Sequence, residues 1–151
     1  MGRKIGAVIG GYIVMFLTVF ITFTITYLLL GAEGSFEPGT YEVTTIWLLA
    51  SIILSFIAAV VGGIVCVAIG KEKKTANYLA IFVLVLGLLF AIPELTSEDT
   101  RPTVRDGSVD NMTAMTYARQ PIWLTLLNPL IGVAGVFVGA GLKDNKEEES
   151  A

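Results

Sequence analysis

Four stretches of the chain, Ile5 to Leu30, Thr44 to Ile69, Ala76 to Ile92 and Ile122 to Leu142, contain no Asp, Glu, Lys or Arg. A helix needs about 20 consecutive apolar residues, within a range of about 17 to 25, to cross the hydrocarbon of a bilayer. The first two runs, at 26 residues each, have length left over for tilt or protrusion, and the third, at 17, is the shortest. Charged and turn-forming residues gather between the runs, in segments 31–43, 70–75 and 93–121, and in the tail 143–151. The pattern predicts an all-α integral membrane protein: one domain over residues 1–151, with four transmembrane helices in an antiparallel bundle. Arg3 and Lys4 precede the first run as they would in a signal peptide, but the apolar part of a signal peptide covers only about 7 to 15 residues. The first run is therefore expected to be a retained helix.

Composition agrees with this. Of 151 residues, 54% are hydrophobic and 15% charged, and the mean hydropathy of +0.76 is too high for a soluble domain of this size. The net charge of −3 belongs to loops and tails and does not point to a nucleic-acid partner.

The distribution of bases predicts orientation, because Lys and Arg near membrane ends are held in the cytoplasm. Arg3, Lys4, Lys71, Lys73, Lys74, Lys143 and Lys146 fall on one side, and only Arg101, Arg105 and Arg119 on the other. Both termini are thus expected inside, with segments 31–43 and 93–121 external and 70–75 cytoplasmic. Trp47 and Trp123, with Tyr27, Tyr41 and Tyr117, fall near the external helix ends, where amphipathic rings anchor in the headgroup region.

The short connection Gly70 to Thr75 predicts that helices two and three are close antiparallel neighbours. The connection from Pro93 to Pro121 is 29 residues long and includes Glu94, Glu98, Asp99, Asp106 and Asp110. Loops of that length are uncommon unless they are functional or disordered, so this one is either a partner-contacting surface or a solvated cap. Asn111-Met112-Thr113 within it matches an N-glycosylation acceptor. The acidic tail with Glu147, Glu148 and Glu149 is expected to be a solvated end.

Small residues spaced by four let helices approach closely in lipid. Gly6 and Gly10 of helix one, Ala59 and Gly63 of helix two, and Gly135 and Gly139 of helix four mark packing faces. Helix three is bulkier and is expected to face lipid or a second protein. Among polar residues, Thr18 and Thr22 of helix one match Ser51 and Ser55 of helix two in depth, and Asn128, followed by Pro129, lies near the same level on helix four. This Thr/Ser/Asn cluster is read either as interhelical hydrogen bonding, worth about 0.6 kcal/mol per bond, or as a polar cavity for a lipid headgroup, quinone or solute.

Candidate chemistry narrows the choice mainly by exclusion. With one cysteine, Cys66, and no histidine, the common ligand sets for zinc, copper and haem are missing. No cofactor is expected. Proton- or ion-coupled transport usually leaves an ionisable residue inside the membrane, and the four runs have none. Small multidrug transporters are similar in length but depend on an acidic residue in the first helix. Claudin-type junction proteins carry a Trp and two cysteines in the first external loop, which Gly31 to Val43 lacks. In general style the chain resembles small bacterial inner (plasma) membrane proteins, and that location is expected. The preferred expectation is a non-catalytic accessory or structural subunit whose partners are lipid and other membrane subunits or itself. The alternative is a small homo-oligomeric transporter or channel, or a lipid- or quinone-binding protein built on the polar cluster.

Overall fold

The computed structural model describes residues 2–96 and 100–149, with side chains through Lys143. Glu98 and Asp99 of the long loop, the side chains of Lys146 and Glu147 to Glu149, and the end of the tail lie outside the described residues. The protein is all-α, with α1 Gly2–Ser35, α2 Thr45–Gly70, α3 Thr75–Thr96, the short α4 Asn111–Tyr117 and α5 Ile122–Glu149. Four of these helices are long and apolar enough to cross a membrane, α5 over Ile122–Lys143.

Helix limits follow local chemistry. Thr44 caps α2 by accepting the Trp47 amide at 3.2 Å, and its hydroxyl donates to the Gly34 carbonyl at 2.7 Å. Lys71 closes the other end of α2 in the left-handed conformation (φ 60°), with its amide on the Val67 carbonyl. In α1 the helical backbone breaks at Gly31 (φ 66°, ψ −179°) and resumes for a last turn to Ser35. This is a region open essentially to glycine alone.

The interior is built from small residues. Ala7, Ala59, Cys66, Val67, Ala76, Leu79, Ala80, Val83, Val136 and Ala140 form one buried cluster. The large apolar side chains point outward instead: Phe16, Leu28, Leu29, Ile46, Ile81 and Phe90 are all more than half exposed. A water-soluble bundle reverses this arrangement. A surface of Ile, Leu and Phe over a core of Ala and Gly fits a membrane protein, in which association depends on close van der Waals approach rather than on escape from water.

The most extensive contacts join α1 to α2, α2 to α5 and α3 to α5. Helices α2 and α3 therefore depart from the close pairing expected of a short connection. They meet at the Gly70 to Thr75 turn, where the Cys66 thiol lies 3.7 Å from the Thr75 carbonyl, but α3 packs mainly on α5. A short link fixes only the helix ends, and the rest of each helix settles where its neighbour's surface lets it come close. Helix α3 also has the small-residue face that its bulk obscured. Ala76, Ala80, Val83 and Ala91 are buried, and Pro129 of α5 fills the space over Gly87.

The turn end is held by side chains as well. Lys4 pairs with Glu72 at 2.8 Å, and the Arg3 guanidinium donates to the Gly70 carbonyl at 3.2 Å. The Lys4 ammonium keeps the Glu72 carboxyl below its usual range.

Candidate functional site

At the other end, the two long connections fold together into a cap. The chain leaves α1 after Ser35 and turns through Pro38 and Gly39 (φ 68°), with the Thr40 amide on the Glu37 carbonyl at 3.1 Å. Proline followed by a glycine of positive φ is the pattern of a type II turn. The Val43 amide then bonds the Arg119 carbonyl at 3.1 Å, the Arg119 amide bonds the Tyr41 carbonyl at 2.8 Å, and the Arg105 amide bonds the Gly39 carbonyl at 2.9 Å. Three segments far apart in sequence thus pair through single bridges.

An aromatic cluster fills the cap. Tyr27, Phe36 and Tyr41 are buried, and Tyr41 meets Tyr117 edge to face at 5.4 Å between centroids. Trp47 packs in the same manner against Phe23 at 5.8 Å and Tyr27 at 6.3 Å. Such pairs add about 0.5–1.5 kcal/mol each beyond burial. The Tyr27 hydroxyl donates to the Val109 carbonyl, tying the long loop to the span of α1. Of the two expected interfacial anchors, Trp47 is therefore a packed member of the cap, while Trp123 is 53% exposed at the start of α5.

Arg105 clamps the assembly. Its residue is only 4% exposed. The guanidinium donates to the Thr40 carbonyl at 3.1 Å and to the Gly107 carbonyl, pairs with Glu33 at 3.1 Å, and lies 5.8 Å from the centre of the Phe36 ring. Asp110 caps α4 by accepting the Met112 and Thr113 amides and the Thr113 hydroxyl. That hydroxyl, and then the Thr113 amide, hold the Asp110 carboxyl below its usual range. The Asn111 side-chain amide, the atom a glycan would use, donates to the Thr24 hydroxyl at 3.2 Å.

Beside the cap, between it and the ends of α3 and α5, lies a cavity of about 760 Å³. Among the described residues its charged lining is Glu42, Glu94, Arg101 and Arg119, and Leu95 and Ile122 supply apolar wall. Arg101 pairs with Glu94 at 2.9 Å and donates to the Ala118 carbonyl at 3.1 Å, while Arg119 donates to the Arg101 carbonyl at 3.4 Å.

No family model, curated protein or solved structure matches this chain.

The polar residues singled out from the sequence bond mostly within their own helices. Thr18 donates to the Val14 carbonyl at 2.8 Å, Thr22 to that of Thr18 at 2.7 Å, and Ser51 to that of Leu48 at 2.8 Å. This back-bonding satisfies a hydroxyl without a partner helix. Ser51 instead shares with Thr26, Phe23 and Trp47 a void too small to hold a water molecule. Ser55 is half-buried on α2, and the Asn128 Oδ1 is buried and accepts no hydrogen bond among the described residues.

The small residues lie as follows. Gly63 faces the Val136 backbone, Gly135 the Ala59 side chain and Gly139 the Val60 carbonyl, so α2 and α5 touch backbone to backbone. On α1, Gly6 faces open space and Gly10 only the tip of Ile69. The close approach to α2 is made by Gly11 on Gly62, where an added Cβ would stand 2.9 Å from the opposing carbonyl oxygen in each direction. The adjacent pairs Gly10-Gly11 and Gly62-Gly63 left two registers open, and only the crossing of the helices selects one.

Proposed function

We propose that this chain is a non-catalytic accessory subunit of a larger membrane complex, and that it presents its cap as the contact surface. In this reading the four long helices form an antiparallel bundle in an inner (plasma) membrane of bacterial type. Both termini and the Gly70 to Thr75 turn are cytoplasmic, and the cap is external. The observation that carries it is the cap itself, in which both connections are bound into one folded unit around a buried Arg105. A solvated connection between two spans needs no such clamp, whereas a surface that must keep its shape for a partner does.

The orientation rests on the bases. Arg3, Lys4, Lys71, Lys73, Lys74 and Lys143 gather toward the turn end and the termini, and the three arginines at the other end are engaged in cap bonds. A solute path through the Thr18, Thr22, Ser51 and Asn128 level has less support, because three of those four side chains bond to their own helices.

The test is gentle extraction from the native membrane, native-gel separation and mass spectrometry of the co-migrating chains. A stoichiometric membrane partner, lost when exposed cap residues such as Val104 or Met112 are changed to Asp, is the expected result. Recovery only as a monodisperse monomer would overturn the proposal.

A further inference from the structure

Helix α1 is the least buried of the four long helices. It packs on α2, less on α3 and α4, and not on α5. Toward the cap it meets Trp47 of α2 through Phe23 and Tyr27. The stripe Ile21, Ile25, Leu28 and Leu29 turns away from that contact and is 53%, 51%, 71% and 81% exposed. Acyl chains cover such surface within the hydrocarbon, but the end of this stripe lies past their reach. The Asn111 side chain donates to the Thr24 hydroxyl at 3.2 Å, and Asp110 next to it is exposed. A carboxylate and an irregular backbone that face outward do not lie in hydrocarbon, so Thr24 marks its edge on the cap side. The opposite end agrees. Lys4, paired with Glu72 at the turn, is 20 residues away, which is about 30 Å at 1.5 Å per residue and matches the thickness of the hydrocarbon layer. From Thr24 to Leu30 the rod continues for roughly 9 Å. Along it Ile25, Leu28 and Leu29 project among headgroups with no apolar cover from the described residues. Tilting α1 to draw them in would draw in Asp110 as well.

We propose that this stretch of α1 pairs with the same stretch of a second copy of this chain, side by side and in the same direction. Two copies inserted alike and related by a two-fold axis along the membrane normal present Ile25, Leu28 and Leu29 at one height. Each then covers the overshoot of the other, a match that an unrelated helix has no reason to share. The spacing fits as well. Ile21, Ile25 and Leu28 follow at intervals of four and three, the seam of a two-stranded pair, and a β-branched residue followed at the next seam position by leucine favours parallel dimers. No described charge opposes the contact. From Ile5 to Leu30 the helix has no Asp, Glu, Lys or Arg, and Glu33, past the break at Gly31, is paired with Arg105. Asp110 lies to one side of the stripe, at Thr24, where its carboxylate accepts the Met112 and Thr113 amides and the Thr113 hydroxyl. The two-fold axis sets the carboxylates of the two copies on opposite flanks. This contact leaves the rest of the cap free for a different chain, so it does not depend on the accessory-subunit reading.

The experiment traps the pair as a disulfide, using the full chain in native membranes. The wild-type chain, whose single cysteine is the buried Cys66, is the blank. On mild oxidation Ile25→Cys and Leu28→Cys should each yield a species of twice the mass that contains this chain alone. Phe90→Cys, at a position of similar exposure on α3, measures random collision and should yield little. In lipid vesicles, Leu28→Ala should raise the dissociation constant of the dimer by about tenfold or more, the effect of withdrawing a leucine side chain from apolar cover in each copy. Hydrogen exchange at the Val43 and Arg105 amides checks that each variant keeps its cap. With the cap intact, four results would each overturn the proposal: no trapped dimer at positions 25 and 28, equal trapping at positions 28 and 90, trapping only to a different protein, or a dimer that Leu28→Ala leaves unchanged.

Discussion

Replacing Arg105 by methionine keeps an apolar stem and removes the guanidinium, so it isolates what the clamp contributes. Two carbonyls, those of Thr40 and Gly107, lose a charged donor. Such bonds are worth about 1.5–3 kcal/mol each, part of which the carbonyls regain from water once the loop loosens. Glu33 loses little, because its side chain is 77% exposed and an exposed ion pair contributes only about 0–1 kcal/mol. The cap should therefore lose about 2–4 kcal/mol of local stability, raising its opening equilibrium by roughly 30- to 700-fold. Hydrogen exchange followed by mass spectrometry reads this at the Val43, Arg105 and Arg119 amides, which carry the three inter-segment bonds. Amides in the middle of α2 and α5 serve as the internal reference. Arg105→Lys should fall between wild type and Arg105→Met, since an ammonium keeps the charge but lacks the fork that serves several acceptors. Unchanged exchange at the cap amides, or equal acceleration throughout α2 and α5, would refute the reasoning.

Gly63→Ala places a Cβ against the Val136 backbone and should lower the thermal midpoint in detergent through an overpacking penalty of about 1–3 kcal/mol. Gly6→Ala, facing open space, should leave it unchanged, and equal shifts for the two would show that the α2–α5 contact is wrongly placed. Asn128→Leu removes a buried acceptor with no partner among the described residues, so its midpoint should hold or rise; a clear fall would mean that the amide has a partner in the folded protein. Asp110 has a lowered pKa in the folded state, so its contribution to α4 is complete above the usual carboxylate range and is lost as pH falls through the lowered value. Amides of Asn111–Tyr117 should gain exchange from about pH 3.8, the ordinary aspartate value, downward. In Asp110→Ala that pH dependence should disappear, and its persistence would point to another carboxylate.

What could be read from the sequence was whatever lipid alone dictates. A run such as Thr44 to Ile69 can only be helical in hydrocarbon, because every backbone amide must be satisfied locally. The end of the first run at Leu30 falls beside the break at Gly31. The cap was not legible, because Arg105 meets Thr40 and Glu33 across 65 and 72 residues of sequence. An arginine in an acidic loop looks solvated until its partners are folded around it. The face of α3 was hidden for a different reason, since Ala76, Ala80, Val83, Gly87 and Ala91 recur at intervals of three or four among leucines that dominate the composition. The polar cluster was misleading in another way, because matched depth says nothing about rotation, and a threonine hydroxyl reaches its own helix first.

Gly31 also bears on how the protein sits in bilayers of different thickness. The helical rod from Gly2 to Leu30 is roughly 44 Å long at 1.5 Å per residue, against a hydrocarbon layer of about 30 Å. A helix can follow a thicker bilayer by standing more upright or by adding a turn from its flanking loop. The second route is closed at this end, because the chain leaves helical geometry at a residue whose φ of 66° and ψ of −179° suit only glycine. Adjustment falls to tilt and to the opposite end, where Arg3 and Lys4 have stems long enough to reach for water. The link from the rod of α1 to the cap thus keeps one length, the single turn between Gly31 and Ser35.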